Sequence, residues 1–296
     1  MSKQSDLAES DLQRFREVQQ LAYRCAETIA ADMRPGMTEN QVARRMKEFL
    51  VDNGADDCLH QPFAWFGDRT AFTGFTGLKH MAGYNLAFFP GSRRLEEGMP
   101  FILDCAPSVK GYTADIGYSA VVGENKVLDQ LMDDLLEYRQ LIVAQVKARR
   151  PLAEVSREVD ALCARHGYEP RHKAYPFQVL AHRVEPLQDD GKSSHASVMR
   201  FGLRSVMALQ RSRWQGRRQG WSPLWNSGRG SEHAPTPGLW AVEPHLGFRG
   251  VGAKWEELLV VTEDDAYWLD DNVPHVRRWA ERGLWPARSE SPEVAA

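Results

Sequence analysis

Two aspartates lie within apolar sequence in the stretch ILDCAPSVKGYTADIGYSAVVG, which covers residues 102–123. The apolar runs before and after PSVKG predict two strands joined by a tight turn, with Gly111 where a positive φ is often needed. Asp104 and Asp115 would then lie on neighbouring strands and reach the same point. Because an unpaired buried carboxylate is very costly, the pair requires a positive partner, and this requirement constrains how the chain can fold.

Three further polar residues lie at the edges of apolar runs later in the chain. His182 follows FQVL, Glu243 follows LWAV and Glu256 precedes LLVV. Four carboxylates and one imidazole that converge repel one another unless cations neutralise them. An oxygen-rich set with one histidine suits Mn, Co, Zn or Fe at two adjacent sites. A water that bridges two such ions is acidified to a hydroxide nucleophile near neutral pH.

Each of these residues also has a plainer interpretation. Asp104 and Asp115 taken alone can be turn-capping residues. A lone His182 is more often structural than a ligand, and His172 is its rival for the ligand position. Glu257 is expected to face the other side of its strand, because side chains alternate along a strand.

The order and spacing of these residues resemble those of the pita-bread metallopeptidases, the family of methionine aminopeptidase, Xaa-Pro aminopeptidase and creatinase. The family has an aspartate at a strand end, a turn with glycine and an aromatic residue, and a second aspartate eleven residues after the first. A histidine after an apolar strand, a glutamate before proline and a glutamate six residues before the threonine of VVT follow in order. The matching residues here are Asp104, Gly111, Tyr112, Asp115, His182, Glu243 and Glu256. The resemblance covers roughly residues 10–275.

The resemblance implies an α+β pita-bread (creatinase/aminopeptidase) fold, in which helices cover a curved, mainly antiparallel sheet. We expect a single catalytic domain over residues 1–285 and a disordered tail over 286–296. We expect the small N-terminal domain that Xaa-Pro aminopeptidase and creatinase carry to be missing here.

Two stretches share a pattern of basic residues, proline, a short amphipathic helix and glycine. They are RPGMTENQVARRMKEFLVDNGA and RRPLAEVSREVDALCARHGYEP, about 116 residues apart, and they indicate a pseudo-twofold repeat. In the first stretch Thr38 and Gln41 have the capping-box spacing of a helix start. Elsewhere the apolar pattern predicts helices over 7–31 and 125–149 and strands over 58–66, 84–90 and 173–185.

The resemblance also implies an activity. It points to a dinuclear-metal-dependent hydrolase, most simply an aminopeptidase of the Xaa-Pro type that cleaves short peptides by metal-hydroxide attack. Besides being a metal ligand, Glu243 would be the residue that transfers the proton during hydrolysis. The cofactors would be two divalent metal ions (Mn, Co, Zn or Fe), and the ligands would be Asp104, Asp115, His182, Glu243 and Glu256. The alternative is a small-molecule enzyme on the same scaffold, a creatinase-like amidinohydrolase or a lyase. A third class is a metal-free binding module.

Two histidines that the family uses to position the scissile carbonyl and to stabilise negative charge are missing. The first lies about seventeen residues before the first aspartate, where this chain has Ala87. The second lies seven residues after the metal-binding histidine, where this chain has Asp189. The candidate catalytic substitutes are His80, His195 and His233, each of which can also be an ordinary loop histidine. The absence of the two family histidines favours the small-molecule alternative.

The segment 191–230 is longer than the corresponding family segment. It has seven arginines and one lysine, no acidic residue, and three interleaved tryptophans, Trp214, Trp221 and Trp225. Arginine with aromatic residues suits an anionic or aromatic ligand or a partner surface. We expect a lid or subunit contact near the metal site, because the segment lies between two ligands in sequence. The alternative is an exposed insertion whose tryptophans pack on the core.

Composition narrows the partners further. The formal net charge is −3, which argues against nucleic acid as the main ligand. No apolar run approaches the roughly 20 residues of a membrane span. Four scattered cysteines without a C-x-x-C pair are typical of a cytoplasmic protein with free thiols. We therefore expect a cytoplasmic enzyme with a small peptide or small-molecule substrate, and family members that dimerise suggest a homodimer.

Overall fold

The computed structural model describes residues 8–73, 86–187, 197–198 and 201–285. The helices are α1 Glu9–Ala31, α2 Glu39–Asp52, α3 Lys126–Lys147, α4 Leu152–His166, α5 Leu203–Gln219 and α6 Pro274–Glu281. The strands are β1 Asp57–Cys58, β2 Phe63–Phe66, β3 Pro100–Cys105, β4 Pro107–Val109, β5 Tyr112–Thr113, β6 Ile116–Val121, β7 Glu169–Pro170, β8 Ala181–Val184, β9 Ser197–Val198, β10 Phe201–Gly202, β11 Leu224–Trp225, β12 Gly238–Val242, β13 His245–Phe248, β14 Val251–Lys254, β15 Glu257–Val261 and β16 Ala266–Trp268.

The first helices begin where their sequence signals predict. Thr38 and Gln41 form the predicted capping box, in which the Thr38 hydroxyl accepts from the Gln41 amide and Gln41 Oε1 accepts from the Thr38 amide at 2.8 Å. Apolar faces of α1 and α2 pack together, and α3 and α4 form a second packed pair. Most of the helices pack on the strands through the largest of three apolar clusters, which includes Cys25, Met46 and Leu135. The start of α1 packs through a second cluster with Phe15 and Leu258.

The strands pair antiparallel in several small sheets that meet around one region. The order β2-β3-β6 forms one sheet, and β11-β8-β12-β15-β16 forms the largest. An isolated bridge between Gly117 of β6 and Glu256 joins these two parts of the fold. The mixture of helices with antiparallel strands is the α+β architecture that the sequence predicts.

Several strand predictions are corrected in detail. Strands β3 and β6 pair as expected, but PSVKG is itself part of a small hairpin of β4 and β5, whose turn holds Lys110 and Gly111 at φ 49° and 82°. The predicted strand 84–90 is wrong, because Leu86–Phe88 is a 3-10 helix. Of the range 173–185, only Ala181–Val184 is a strand, and the residues before it form 3-10 turns. The tail 286–296 lies outside the described residues.

The segment 191–230 contains α5, whose position as a lid or subunit contact stays a prediction. Trp221 and Trp225 pack on the core as the alternative predicted, and Trp225 Nε1 donates to the Leu152 carbonyl at 2.7 Å. Trp214 is 58% exposed, with the Arg218 guanidinium 4.1 Å from its ring centroid. Among the described residues, no helix is both long enough and apolar enough to cross a membrane.

Candidate metal centre

Five predicted ligands come from separate strand ends, and the pairing of the strands brings them together. Asp104 lies in β3 opposite Gly117 of β6, and Asp115 immediately precedes β6. His182 of β8 lies opposite Ala241 of β12, one strand away from the β14–β15 connection. Glu243 follows β12 and Glu256 lies between β14 and β15. The four buried carboxylates Asp104, Asp115, Glu243 and Glu256 are called the carboxylate cluster below.

A lysine that the sequence analysis missed lies among these carboxylates. Lys254 Nζ is 2.7 Å from Asp104 Oδ2, 2.8 Å from Glu243 Oε2 and 2.9 Å from Glu256 Oε2. Its side chain is 0% exposed. Each of the three N–H groups of the ammonium therefore has one carboxylate oxygen as acceptor. Hydrogen bonds between ionised groups are stronger than those between neutral groups.

The backbone and the neighbouring strand fix the lysine in place. Ser119 Oγ accepts from the Lys254 amide at 2.8 Å and donates to the Lys254 carbonyl at 2.8 Å. The aliphatic stem of the lysine passes over Gly117, where an added Cβ would lie only 2.3 Å from Lys254 Cε. Glycine at position 117 is thus what leaves room for the stem.

His60 is the second cluster residue that the sequence analysis missed. Its Nε2 is 3.2 Å from Asp104 Oδ1 and 3.1 Å from Asp115 Oδ1, and its ring stacks on Phe63 with centroids 4.8 Å apart. Nδ1 lies 2.9 Å from the Gln61 carbonyl, so this nitrogen donates its proton there. The side chain is 7% exposed.

His182 of β8 reaches the carboxylate cluster near Asp115 and Glu256. Its Nε2 is 3.3 Å from Asp115 Oδ2 and 3.8 Å from Glu256 Oε1. The second distance exceeds a hydrogen bond and leaves space between the two groups. With its side chain 16% exposed, His182 is the more accessible of the two cluster histidines.

Burial and charge act in opposite directions on the two histidines. Burial alone would lower the pKa of His60, but the Asp115 and Asp104 carboxylates overcome it and raise the pKa to about 9. Burial likewise would lower the pKa of His182, and hydrogen bonds to Asp115 and Glu256 raise it well above its usual value. The neighbouring carboxylates thus favour the protonated form of both imidazoles.

The carboxylates and the lysine respond to the same environment. Burial raises the pKa of Asp104 to about 6, against the opposing charges of Lys254 and His60. Burial and the charge of Glu256 raise the pKa of Glu243 to about 8. For Asp115, burial is outweighed by the two histidines, which hold its pKa well below the usual range. Burial would lower the pKa of Lys254, but its three carboxylate partners raise it well above 10.5.

We expected cations to neutralise the converging carboxylates and considered divalent metal ions for that role. The chain itself supplies Lys254, His60 and His182, so the carboxylate cluster is compensated without an ion. Lys254 ends β14 and Glu256 lies between β14 and β15, two residues further on, but this spacing alone does not indicate that the lysine is buried among the carboxylates. For His60 no local signal exists, since it lies between β1 and β2.

Glu257 points away from the carboxylate cluster, as alternation predicts. It is 0% exposed and accepts from Arg139 Nε at 2.6 Å and from Arg139 Nη2 at 3.1 Å. His275 Nε2 lies 2.9 Å from the same carboxylate. The Arg139 guanidinium and His275 lower the pKa of Glu257 despite its burial.

The remaining histidine candidates have other positions. His233 is engaged through both ring nitrogens: Nε2 accepts from the Ser222 amide at 3.0 Å and Nδ1 lies 2.9 Å from the Ala234 carbonyl. His172, the rival ligand, instead contacts Asp160 at 3.1 Å. The candidates His80 and His195, as well as Asp189, lie outside the described residues.

The described residues include two groups of donors that could hold a divalent ion. Asp115, His182 and Glu256 each offer one ligand atom within 4.8 Å of the others, and His60, Asp104 and Asp115 form a second such group. Two carboxylate oxygens and an imidazole nitrogen suit Mn, Fe, Co or Zn. Glu243 belongs to neither group, and its Oε2 contacts Lys254 instead.

Known proteins resemble this chain in fold and in sequence. An uncharacterised peptidase of Staphylococcus aureus is 22% identical over 200 residues, which are 66% of this chain and 52% of the relative. The chain thus spans about half the length of the curated relatives it matches. The X-Pro aminopeptidase of Thermotoga maritima superposes with a TM-score of 0.63 at 17% identity, covering 89% of this chain and 62% of that one.

Two further solved structures agree with that likeness. The dipeptidase PepE of Mycobacterium ulcerans has a TM-score of 0.61 at 20% identity, covering 92% of this chain and 61% of its own. The prolidase of Pyrococcus furiosus has a TM-score of 0.61 at 18% identity, covering 89% and 64%. At these identities the likeness shows the pita-bread fold.

The sequence evidence extends over most of the chain. The sequence model of metallopeptidase family M24 matches residues 13–263, well over half of the 296 residues. The predicted resemblance to the pita-bread metallopeptidases is confirmed: the chain belongs to metallopeptidase family M24.

Proposed function

We propose that this protein is a metal-dependent hydrolase that cleaves a C–N bond of a short peptide, releasing an N-terminal residue from an Xaa-Pro sequence. The observation that carries the proposal is the gathering of Asp104, Asp115, His182, Glu243 and Glu256 at one buried point. The family membership supports the hydrolytic class. The names of the X-Pro aminopeptidase and prolidase structures support the Xaa-Pro preference.

Asp115, His182 and Glu256 are the residues that we assign to hold a divalent ion. Such an ion, when bound, supplies a Lewis acid for the carbonyl and lowers the pKa of a coordinated water. Glu243 is assigned to proton transfer through its carboxylate, which is buried beside Lys254 Nζ at 2.8 Å. The two-ion centre predicted from the sequence stays a prediction.

The wall next to the carboxylate cluster is aromatic and excludes water from one side. Phe63 stacks on His60 and on Trp65, and Tyr175 lies with its ring centroid 5.0 Å from Lys254 Nζ. The Tyr175 hydroxyl lies 3.2 Å from His245 Nδ1, and His245 Nε2 donates to a backbone carbonyl. A dry wall of this kind strengthens charge interactions with a bound substrate.

A second candidate is a small-molecule hydrolase or lyase on the same scaffold. The methyl side chain of Ala87, where the family resemblance places a histidine, favours it, because a methyl group cannot position or polarise a peptide carbonyl. Creatine-like amidines and C–S substrates are then the compounds to compare with peptides.

A substrate panel tests the proposal. Tag-free protein is stripped with EDTA, reloaded separately with Mn²⁺, Co²⁺, Zn²⁺ or Fe²⁺, and incubated with Xaa-Pro peptides, matched Xaa-Ala peptides and creatine. We expect metal-dependent release of the N-terminal residue from Xaa-Pro peptides, lost in Glu256→Ala. The control is Glu48→Ala, which removes an exposed carboxylate on α2. Cleavage of creatine alone supports the second candidate, and turnover that EDTA leaves unchanged contradicts both.

A further inference from the structure

The position of Lys254 bears on how many ions the centre takes. Its ammonium contacts Asp104, Glu243 and Glu256, which are three of the four carboxylates in the predicted two-ion ligand set. Each of these carboxylates gives one oxygen to Nζ at 2.7–2.9 Å. All three ammonium protons are thereby used, and the position at the middle of these oxygens is occupied by a positive charge.

Three features of the structure hold the lysine side chain in this position. Both backbone groups of Lys254 hydrogen-bond to Ser119 Oγ, so the main chain cannot shift freely. The stem needs the missing side chain of Gly117, where even a methyl group would lie 2.3 Å from Cε. The whole side chain is 0% exposed, so it has no route by which solvent replaces its partners.

The oxygens that Lys254 leaves available lie on the other side of the cluster. Glu256 uses Oε2 for the lysine, while Oε1 points toward His182 Nε2 at 3.8 Å. Asp115 has no contact with Lys254 among its described hydrogen bonds, and its Oδ2 lies 3.3 Å from the same imidazole nitrogen. The gap of 3.8 Å gives an ion room between the donors.

The second group of donors is less open. His60 Nε2 already lies within hydrogen-bond distance of both Asp104 and Asp115, at 3.2 and 3.1 Å, so the imidazole itself joins these carboxylates. Asp104 is also shared with Lys254 at 2.7 Å. An ion there would lie close to the ammonium, and like charges that share a carboxylate repel.

We propose that Lys254 is a built-in counter-ion that takes the place of one metal ion, and that the centre binds a single divalent ion between Asp115, His182 and Glu256. This inference rests on the proposed metal-dependent function and specifies its cofactor. It assigns Asp104 and Glu243 to the lysine in place of a second ion. The lysine is a positioning residue in this arrangement, because its ammonium contacts Glu256 through Oε2 and orients Oε1 of the same carboxylate toward His182 and the proposed ion.

Metal stoichiometry tests the proposal without any activity assay. Tag-free wild-type protein, Lys254→Met, Lys254→Arg and the control Lys147→Met are stripped with EDTA and dialysed against Mn²⁺. Lys147 is a 49% exposed lysine paired with Asp265, so its loss leaves the centre intact. Bound Mn²⁺ per chain is measured by inductively coupled plasma mass spectrometry, and its affinity by titration calorimetry.

The expected result is one Mn²⁺ per chain for the wild type, for Lys254→Arg and for Lys147→Met. Lys254→Met is expected to bind a second Mn²⁺ at least tenfold more tightly than the wild type does, and its thermal midpoint should fall in EDTA and recover with Mn²⁺. Two tightly bound ions in the wild type overturn the inference while leaving the proposed function standing. No bound ion in the wild type or in the Lys147→Met control contradicts the proposed function itself. The wild-type stoichiometry decides the question even if Lys254→Met fails to fold.

Discussion

Removal of Arg139 is expected to destabilise the protein strongly, because the buried carboxylate of Glu257 loses its guanidinium partner. Glu257 is next in sequence to Glu256, a proposed metal ligand. Arg139 is 1% exposed and Glu257 0% exposed, and two hydrogen bonds of 2.6 and 3.1 Å join them. Breaking a buried pair by removing one partner costs about 3–5 kcal/mol. After removal of Arg139, Glu257 keeps His275 Nε2 at 2.9 Å, but burial lowers the pKa of His275 and disfavours the cation that could replace the guanidinium. We therefore expect Arg139→Met to lower the free energy of unfolding by about 3–5 kcal/mol at pH 7.

A double-mutant cycle separates the energy of the broken ion pair from the energy lost through poorer packing. Urea unfolding followed by circular dichroism gives the free energy of unfolding for Arg139→Met, Glu257→Met and the double variant. Because the double variant leaves no buried charge, it should lose much less than the sum of the single losses. Arg44→Met is the control, since Arg44 and Glu48 are 67% and 62% exposed and such pairs contribute at most about 0.5 kcal/mol. A loss below about 1 kcal/mol in Arg139→Met, or a double variant as unstable as the sum, would refute the reasoning.

Three other changes follow from the described contacts. Gly117→Ala should cost about 1–3 kcal/mol in thermal or urea unfolding, because its Cβ would lie 2.3 Å from Lys254 Cε and push the stem aside; an unchanged midpoint would contradict this. Thr38→Ala should lose about 1 kcal/mol through the capping box, and a loss below 0.3 kcal/mol (about a quarter of that) would argue against it. The stability difference between the wild type and Glu257→Gln should be full at pH 7 and shrink as the pH falls below 4.5, the unfolded value, through the lowered pKa of Glu257. A difference that grows on acidification would show the wrong sign.

Local signals predicted those parts of the fold that depend on neighbours in sequence. The capping box of Thr38 and Gln41 needs only four residues, and it starts α2 where expected. Asp104 and Asp115 come together because the strands that carry them are separated by a short hairpin. The opposite facing of Glu257 follows from the two-residue period of a strand.

The predictions that failed depend on contacts made far away in sequence. The apolar run at 84–90 reads as a strand, but the Phe88 carbonyl accepts from Trp65 Nε1 at 2.6 Å and its ring packs on Phe72, so a short turn satisfies it. The periodicity of a short apolar run does not distinguish a strand from a short helical turn.

Lys254 shows a different limit of sequence reasoning. Lysine is almost never fully buried unless it is paired, so a lysine beside a strand end predicts solvent exposure. Its burial depends on Gly117 and Asp104, which are far away in sequence, together with Glu243 and Glu256, and no local pattern contains that information. The convergence of these carboxylates was therefore predictable, whereas the way the chain balances their charge was not, and their roles as metal ligands stay a prediction.

An anomalous difference map from a crystal of the Mn²⁺-loaded protein tests the central claim most directly. We predict one peak, bonded to Asp115, His182 and Glu256, with Lys254 Nζ still in contact with Asp104 and Glu243. Two peaks with the lysine displaced, or no peak among these side chains at saturating Mn²⁺, would contradict it.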